Sequence, residues 1–155
     1  MAKQIVYGDA SRLDVLERAG IARARLLVVA IDDEAAALRT VKQVQRRHPG
    51  VAIIARAHSR TDAYEYLELG VPAVRETFGS ALDAAELALR ALGHGPVAAR
   101  RVTTQFRRHD EEMTERMAPH RGEVKQLIAL NQQGRRDLEK LLTEEIRGVR
   151  DAPRP

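Results

Sequence analysis

Apolar positions in the first 95 residues switch between two periods. Ile5-Val6-Tyr7 is a short β-prone run, and Gly8-Asp9-Ala10 reads as the turn that ends it. Ser11 is placed to cap a helix in which Leu13, Leu16 and Ala19 recur at helical spacing until Gly20 stops them. The continuous run from Leu26 to Ile31 predicts a strand covered on both faces. Asp32-Asp33 then stands where a helix N-cap belongs, Leu38, Val41 and Val44 continue with helical spacing, and His48-Pro49-Gly50 ends that helix. Val51 to Ala55 predicts another buried strand. A helix follows from Thr61-Asp62 through Tyr64 and Leu67 to Gly70. A short strand near Ala73-Val74 and a helix carrying Leu82, Leu87 and Leu89 up to Gly93 complete this part. Strands this apolar, separated by helices, call for a parallel sheet with right-handed crossovers. The expected fold class is α/β, a truncated Rossmann-like parallel sheet of about four strands over residues 1–95.

Beyond Gly93-His94-Gly95-Pro96 the β-branched runs cease and the pattern is charged and helical over residues 96–150. Val102, Phe106, Asp110, Met113 and Met117 succeed one another at spacings of four and three, and Pro119 breaks that helix. Leu127, Leu130, Leu138, Leu141, Ile146 and Val149 form a second stripe, with Gly134 as its weak point. Two amphipathic helices beside so small a sheet need a further surface, so this extension is expected to form a homodimer. Residues 151–155 are expected to be a disordered tail.

Composition narrows the function. A hydrophobic fraction of 44% supports a core, and aromatics at 3% mean that Ala, Leu, Val and Ile build it. With no cysteine, disulfides, thiol catalysis and Cys-based metal sites are excluded, and His48, His58, His94, His109 and His120 show no ligand spacing. No metal site is expected. The pI near 9.8 suggests nucleic acid, but the net charge is only +4. Residues 1–95 carry 13 basic and 12 acidic side chains, and residues 96–155 carry 13 and 10, so neither part is a basic patch and no nucleic-acid partner is expected. The apolar runs are too short to span a bilayer and no signal peptide opens the chain. A cytoplasmic location is expected.

Candidate sites cluster at predicted strand ends, where open α/β sheets bind ligands. Asp9 with Ala10, and Asp32 after Ala30-Ile31, offer carboxylates to a ribose or an adenine amino group, or else cap their helices. Arg56 lies at the same edge and either pairs with a phosphate or carboxylate or covers its neighbours. Arg75-Glu76 ends the last strand as a binding pair or an internal salt bridge. Asp110 interrupts an apolar stripe near Arg107 and Arg108, facing either an interface ligand or solvent. Gly93-His94-Gly95-Pro96-Val97-Ala98 matches a relaxed dinucleotide fingerprint but comes after a helix rather than a strand, so it reads as a linker. No nucleophile elbow or phosphate-loop lysine is present, and no enzymatic activity is expected.

The ordered series VYGDASRLDVLERAG, VVAIDDE, IIARAHS, VRETFGSAL and FRRHDEEM resembles the cytoplasmic regulatory domain of Kef-type potassium/proton antiporters, a branch of the RCK/KTN (TrkA-N) domains, over nearly the whole length. The resemblance implies a dimeric Rossmann domain that binds an adenine nucleotide, AMP or NAD(H), and gates an attached membrane antiporter domain in cis or in trans. Some members also take glutathione at the dimer interface. It places Asp9, Ala10, Ala30, Ile31, Asp32 and Arg56 along the nucleotide, and Arg75, Glu76, Arg107, Arg108 and Asp110 in the interface ligand region. It also puts the chain at the inner face of the membrane through its transporter. The family's first strand, Gly-rich loop, first helix and second strand have no counterpart here, so nucleotide response is expected once that half is supplied. Ala37 and Asp110 stand where related sequences have Asn. At position 110 a carboxylate loses a donor and adds charge, which weakens binding of an anionic tripeptide such as glutathione. The competing expectation is a structural dimerisation fragment that binds nothing small.

Overall fold

A computed structural model describes residues 5–150, and the side chains of all of these except 124, 141 and 144–150. The chain forms two compact units that meet between Glu76 and Thr77. The predicted division near residue 95 therefore differs from the structural one, because the helix before Gly93 groups with the helices after it. The tail at 151–155, and the stripe positions Leu141, Ile146 and Val149, lie outside the described residues or side chains.

The first unit comprises α1 (Leu13–Arg18), β1 (Leu26–Val29), α2 (Glu34–Arg47), β2 (Ala52–Ala57), α3 (Arg60–Glu68) and β3 (Ala73–Arg75), with a 3₁₀ turn at Ile21–Arg23. The sheet has three parallel strands in the order β1-β2-β3, with Val28 opposite Ile54 and Arg56 opposite Val74. Among the described residues the expected fourth strand is absent. Ile5-Val6-Tyr7 is exposed or half-exposed and without strand structure, since extended backbone becomes a strand only beside a hydrogen-bonding neighbour.

Helix boundaries obey capping chemistry. Asp33 accepts a hydrogen bond from the Ala36 N–H at 2.6 Å and starts α2. Ser59 and Asp62 form a reciprocal capping box at α3. Gly20 leaves α1 at φ +90°, a left-handed conformation suited to glycine. Ser11 does not cap α1. Its N–H and hydroxyl both donate to Asp9 Oδ1 instead, at 2.8 and 2.7 Å.

Sequentially adjacent strands joined by right-handed crossovers must put their helices on one face. Here α2 packs on β1 and β2, α3 packs on β2 and β3, and the two helices touch. Their shared core holds Leu16, Ile21, Val29, Val41, Val44, Ile53, Ala55, Ala57, Tyr66 and Val71. The expectation of strands covered on both faces is corrected by the same topology. On the opposite face Leu26, Val28 and Val74 remain 50, 60 and 61% exposed.

The second unit contains α4 (Phe78–Ala91), α5 (Pro96–Met117) and α6 (Val124–Arg150), with a 3₁₀ turn at Ala118–His120 that contains the helix-breaking Pro119. Both α4 and α6 pack on α5. The buried stripe of α5 is Ala99, Thr103, Asp110, Met113, Thr114 and Met117. Its small members allow close helix approach. Gly134 uses that freedom, because a Cβ there would lie 2.8 Å from Met113 Cε. It is a packing notch, not a weak point.

Candidate functional site

The carboxyl ends of the three strands converge on Arg56. Its side chain springs from the last part of β2 on the open face of the sheet, as the alternation of β2 requires. Nη1 donates to Glu76 Oε1 at 3.1 Å, while Nη2 donates to the Ala30 carbonyl at 3.1 Å and to Asp32 Oδ1. His58 Nδ1 reaches the other Glu76 oxygen at 3.0 Å. The Glu76 N–H closes the arrangement by donating to the Ala57 carbonyl at 3.0 Å. One guanidinium thus ties the segment after β1 to the segment after β3. Its Nε is buried without an acceptor.

Local sequence explains who does what. Of the adjacent acids at the start of α2, Asp33 caps the helix, which frees Asp32 for Arg56. The Asp32 side chain is nevertheless 91% exposed, so it still presents oxygen to solvent. The hydrogen bond from Arg56, and then its charge, hold the Asp32 carboxyl below the usual carboxylate value. The same bond raises the Arg56 guanidinium further. Asp9 is held low mainly by the Ser11 hydroxyl and closes its own turn with it. No hydrogen bond joins Asp9 to the Arg56 cluster.

Of the six strand-end candidates, Ala30, Asp32 and Arg56 meet. Ile31 is half-buried beside them in sequence and packs against the core, while Asp9 and Ala10 form a separate exposed turn. Glu76 joins the strand-end cluster, and Arg75 is half-buried at the end of β3. In the second unit Arg107 stacks over the Phe78 ring at 5.5 Å and lies 3.9 Å from Glu111, whereas Arg108 lies 3.8 Å from Glu112. The solvent-facing alternative for Asp110 is corrected: it is 4% exposed, on the face of α5 that carries Met113 and Met117. His58 was not singled out from the sequence. Period-two alternation was the available signal, because Arg56 and His58 share a face and Val74 and Glu76 continue it on the neighbouring strand. Among the described residues no group of His, Asp and Glu could hold a metal ion.

Residues 2–75 match the TrkA-N domain model, and residues 80–154 match that of the potassium efflux system KefB C-terminal domain. The fold is similar to the solved Kef CTD of Shewanella denitrificans in AMP-bound form, with TM-score 0.72 and 41% identity over 77% of this chain and 78% of that one. The chain belongs to the Kef C-terminal domain family. Its sequence is 38% identical over 146 residues to the glutathione-regulated potassium-efflux system protein KefC of Escherichia coli O139:H28, and equally so to those of Shigella boydii serotype 18 and Escherichia fergusonii. Those alignments take in 92% of this Kef domain but 23% of each relative. The chain therefore spans about a quarter of the length of these curated relatives. No described helix is long and apolar enough to cross a membrane.

Proposed function

We propose that this chain is the regulatory, non-enzymatic part of a potassium efflux system, and that its strand ends sense an adenine nucleotide. The observation that carries this reading is the likeness to a Kef domain captured with AMP, at 41% identity across most of both chains. The strand-end chemistry is compatible with it. Asp32, exposed and held ionised, is an acceptor for ribose hydroxyls or an adenine amino group, and Arg56 fixes its direction. Asp9 and Ala10 lie along the same ligand once further strands extend the sheet beyond β1. The partners of this reading are an antiporter domain in the membrane, in cis or in trans, and a second copy held through residues 96–150. Its location is the cytoplasmic face of the membrane. Glutathione is a poorer fit, because Asp110 is buried and lacks the amide N–H₂ that an Asn would donate there.

One observation favours the second reading, a structural module that binds nothing small. Nucleotide crevices in open α/β sheets form where the strand order reverses, and β1-β2-β3 contains no reversal. Calorimetric titration of the purified chain with AMP, NADH and glutathione, at known oligomeric state, separates the two. Binding of AMP or NADH that Asp32→Ala abolishes supports the sensor. A folded chain that takes up none of them leaves the structural module.

A further inference from the structure

A second cluster of positive charge lies away from the strand ends. Between Glu34 and Asp62 the sequence contains no acidic residue, yet α2 alone carries Arg39, Lys42, Arg46 and Arg47. Charge counted over 95 residues hides this local excess. Gln43, Arg46 and Arg47 are spaced i, i+3 and i+4, so they share one face of α2. That face, together with Ser11 and Arg12 just before α1 and Leu13 and Asp14 in its first turn, lines an open cavity of about 550 Å³.

The charges in the cavity are unbalanced. Its single carboxylate, Asp14, is engaged by Arg12 through two bonds of 3.1 Å. Arg46 spends its Nε on the Lys42 carbonyl at 3.3 Å, and neither Arg46 nor Arg47 has a carboxylate partner among the described residues. The negative end of the α2 dipole accounts for cations in its last turn. It does not account for a third guanidinium brought to the same cavity by another element. Nor does it account for Gln43 Oε1, which is buried with no donor.

We infer that this groove between α1 and α2 is a binding site for a phosphate ester, whether a free phosphorylated metabolite or a lipid headgroup. Paired guanidinium forks match tetrahedral oxyanions, and a cavity of this volume admits more than a bare phosphate. The site shares no residue with the Arg56 cluster, so it stands independently of nucleotide sensing.

The test is a titration of the ¹⁵N-labelled full chain with inorganic phosphate at constant ionic strength, tracking the Arg46 and Arg47 Nε–H and the Gln43 side-chain amide signals. Saturable shifts are expected. The double substitution Arg46→Gln, Arg47→Gln, and separately Arg12→Gln on the other element, should each raise the dissociation constant at least tenfold, while Arg56→Gln leaves it unchanged. Arg12, Arg46 and Arg47 are exposed, so the variants should keep the fold, and unchanged far-UV dichroism verifies it. Co-sedimentation with phosphatidylglycerol but not phosphatidylcholine vesicles, competed by phosphate, assigns the headgroup. Saturation by phosphate without sedimentation assigns the free ester. Shifts no larger than chloride produces, or equal in the double variant, overturn the site.

Discussion

Gly134→Ala sets two effects of known size against each other. In a helix interior Ala is favoured over Gly by about 1 kcal/mol. Against that, the new Cβ would stand 2.8 Å from Cε and 2.9 Å from Sδ of Met113, where carbon contacts settle at about 3.5–4.0 Å. Met113 would have to retreat by about 1 Å. A thioether is pliable, but this one is 5% exposed, with its sulfur also 3.8 Å from Arg116 Nη1. Overpacking of this kind costs about 1–3 kcal/mol, so packing wins and the variant should lose about 1 kcal/mol. In a Met113→Ala background the obstruction is gone, and the same Gly134→Ala change should gain up to about 1 kcal/mol. The coupling is then about 2 kcal/mol, measurable from urea midpoints read by far-UV dichroism and from hydrogen exchange of α5 amides. Stabilisation by Gly134→Ala in the parent chain, or an equal effect in both backgrounds, would refute the packing of α6 on α5 through this notch.

Asp33→Ala removes the side-chain acceptor at the start of α2 and should lower stability by about 1 kcal/mol in chemical denaturation, whereas Asp32→Ala should leave α2 capped. Val41→Ala empties a fully buried position under the sheet. With about 0.8 kcal/mol for each lost methyl plus the cavity, an effect of about 2–3 kcal/mol is expected in the urea midpoint. The Asp32 carboxyl has its folded value below 3.8, so its contribution is complete above that value and is lost as pH falls through the lower folded one. Carboxyl ¹³C shifts should show Asp32 still ionised below pH 3.8, and Arg56→Gln should return its midpoint to the ordinary value.

Hydrophobic period was enough to place α2, β2 and α3, because each couples a clean apolar repeat to a recognisable cap or stop: Asp33, His48-Pro49-Gly50, Thr61-Asp62 and Gly70, although the cap of α3 itself is Ser59. It was not enough for Ile5-Val6-Tyr7. Strand propensity describes a residue, whereas a strand requires a neighbour, and none is present beside this segment among the described residues. The apolar run of Leu26 to Ile31 misled in a related way. Uniform hydrophobicity shows that both faces can be buried but not that something covers them. At the site, Ala30, Asp32 and Arg56 were legible because strand ends are where α/β sheets present side chains. The partnership of Glu76 and His58 with Arg56 required the parallel register, which no local pattern supplies. The basic face of α2 was obscured for the opposite reason, since averaging charge over a whole unit erased an imbalance confined to one helix.

Topology also sets what the proposed nucleotide crevice would require. With strands in simple sequential order, α2 and α3 pack together on one face, as right-handed crossovers require, and the other retains Leu26, Val28 and Val74 beside Arg56. The unmet demands of a parallel sheet in this state include a strand along the free edge of β1 and a layer over that open face. A parallel strand added next to β1 must connect by a crossover on the open side if the order is to reverse there, so a single βα unit meets both demands at once. The same addition creates the switch point at the carboxyl end of β1, next to the Ala30 carbonyl and Asp32 that Arg56 already holds. For the proposed nucleotide site, completion of the sheet and completion of the crevice would therefore be one event. The clamp of Arg56 on Ala30, Asp32 and Glu76 already ties the strand ends together without that addition.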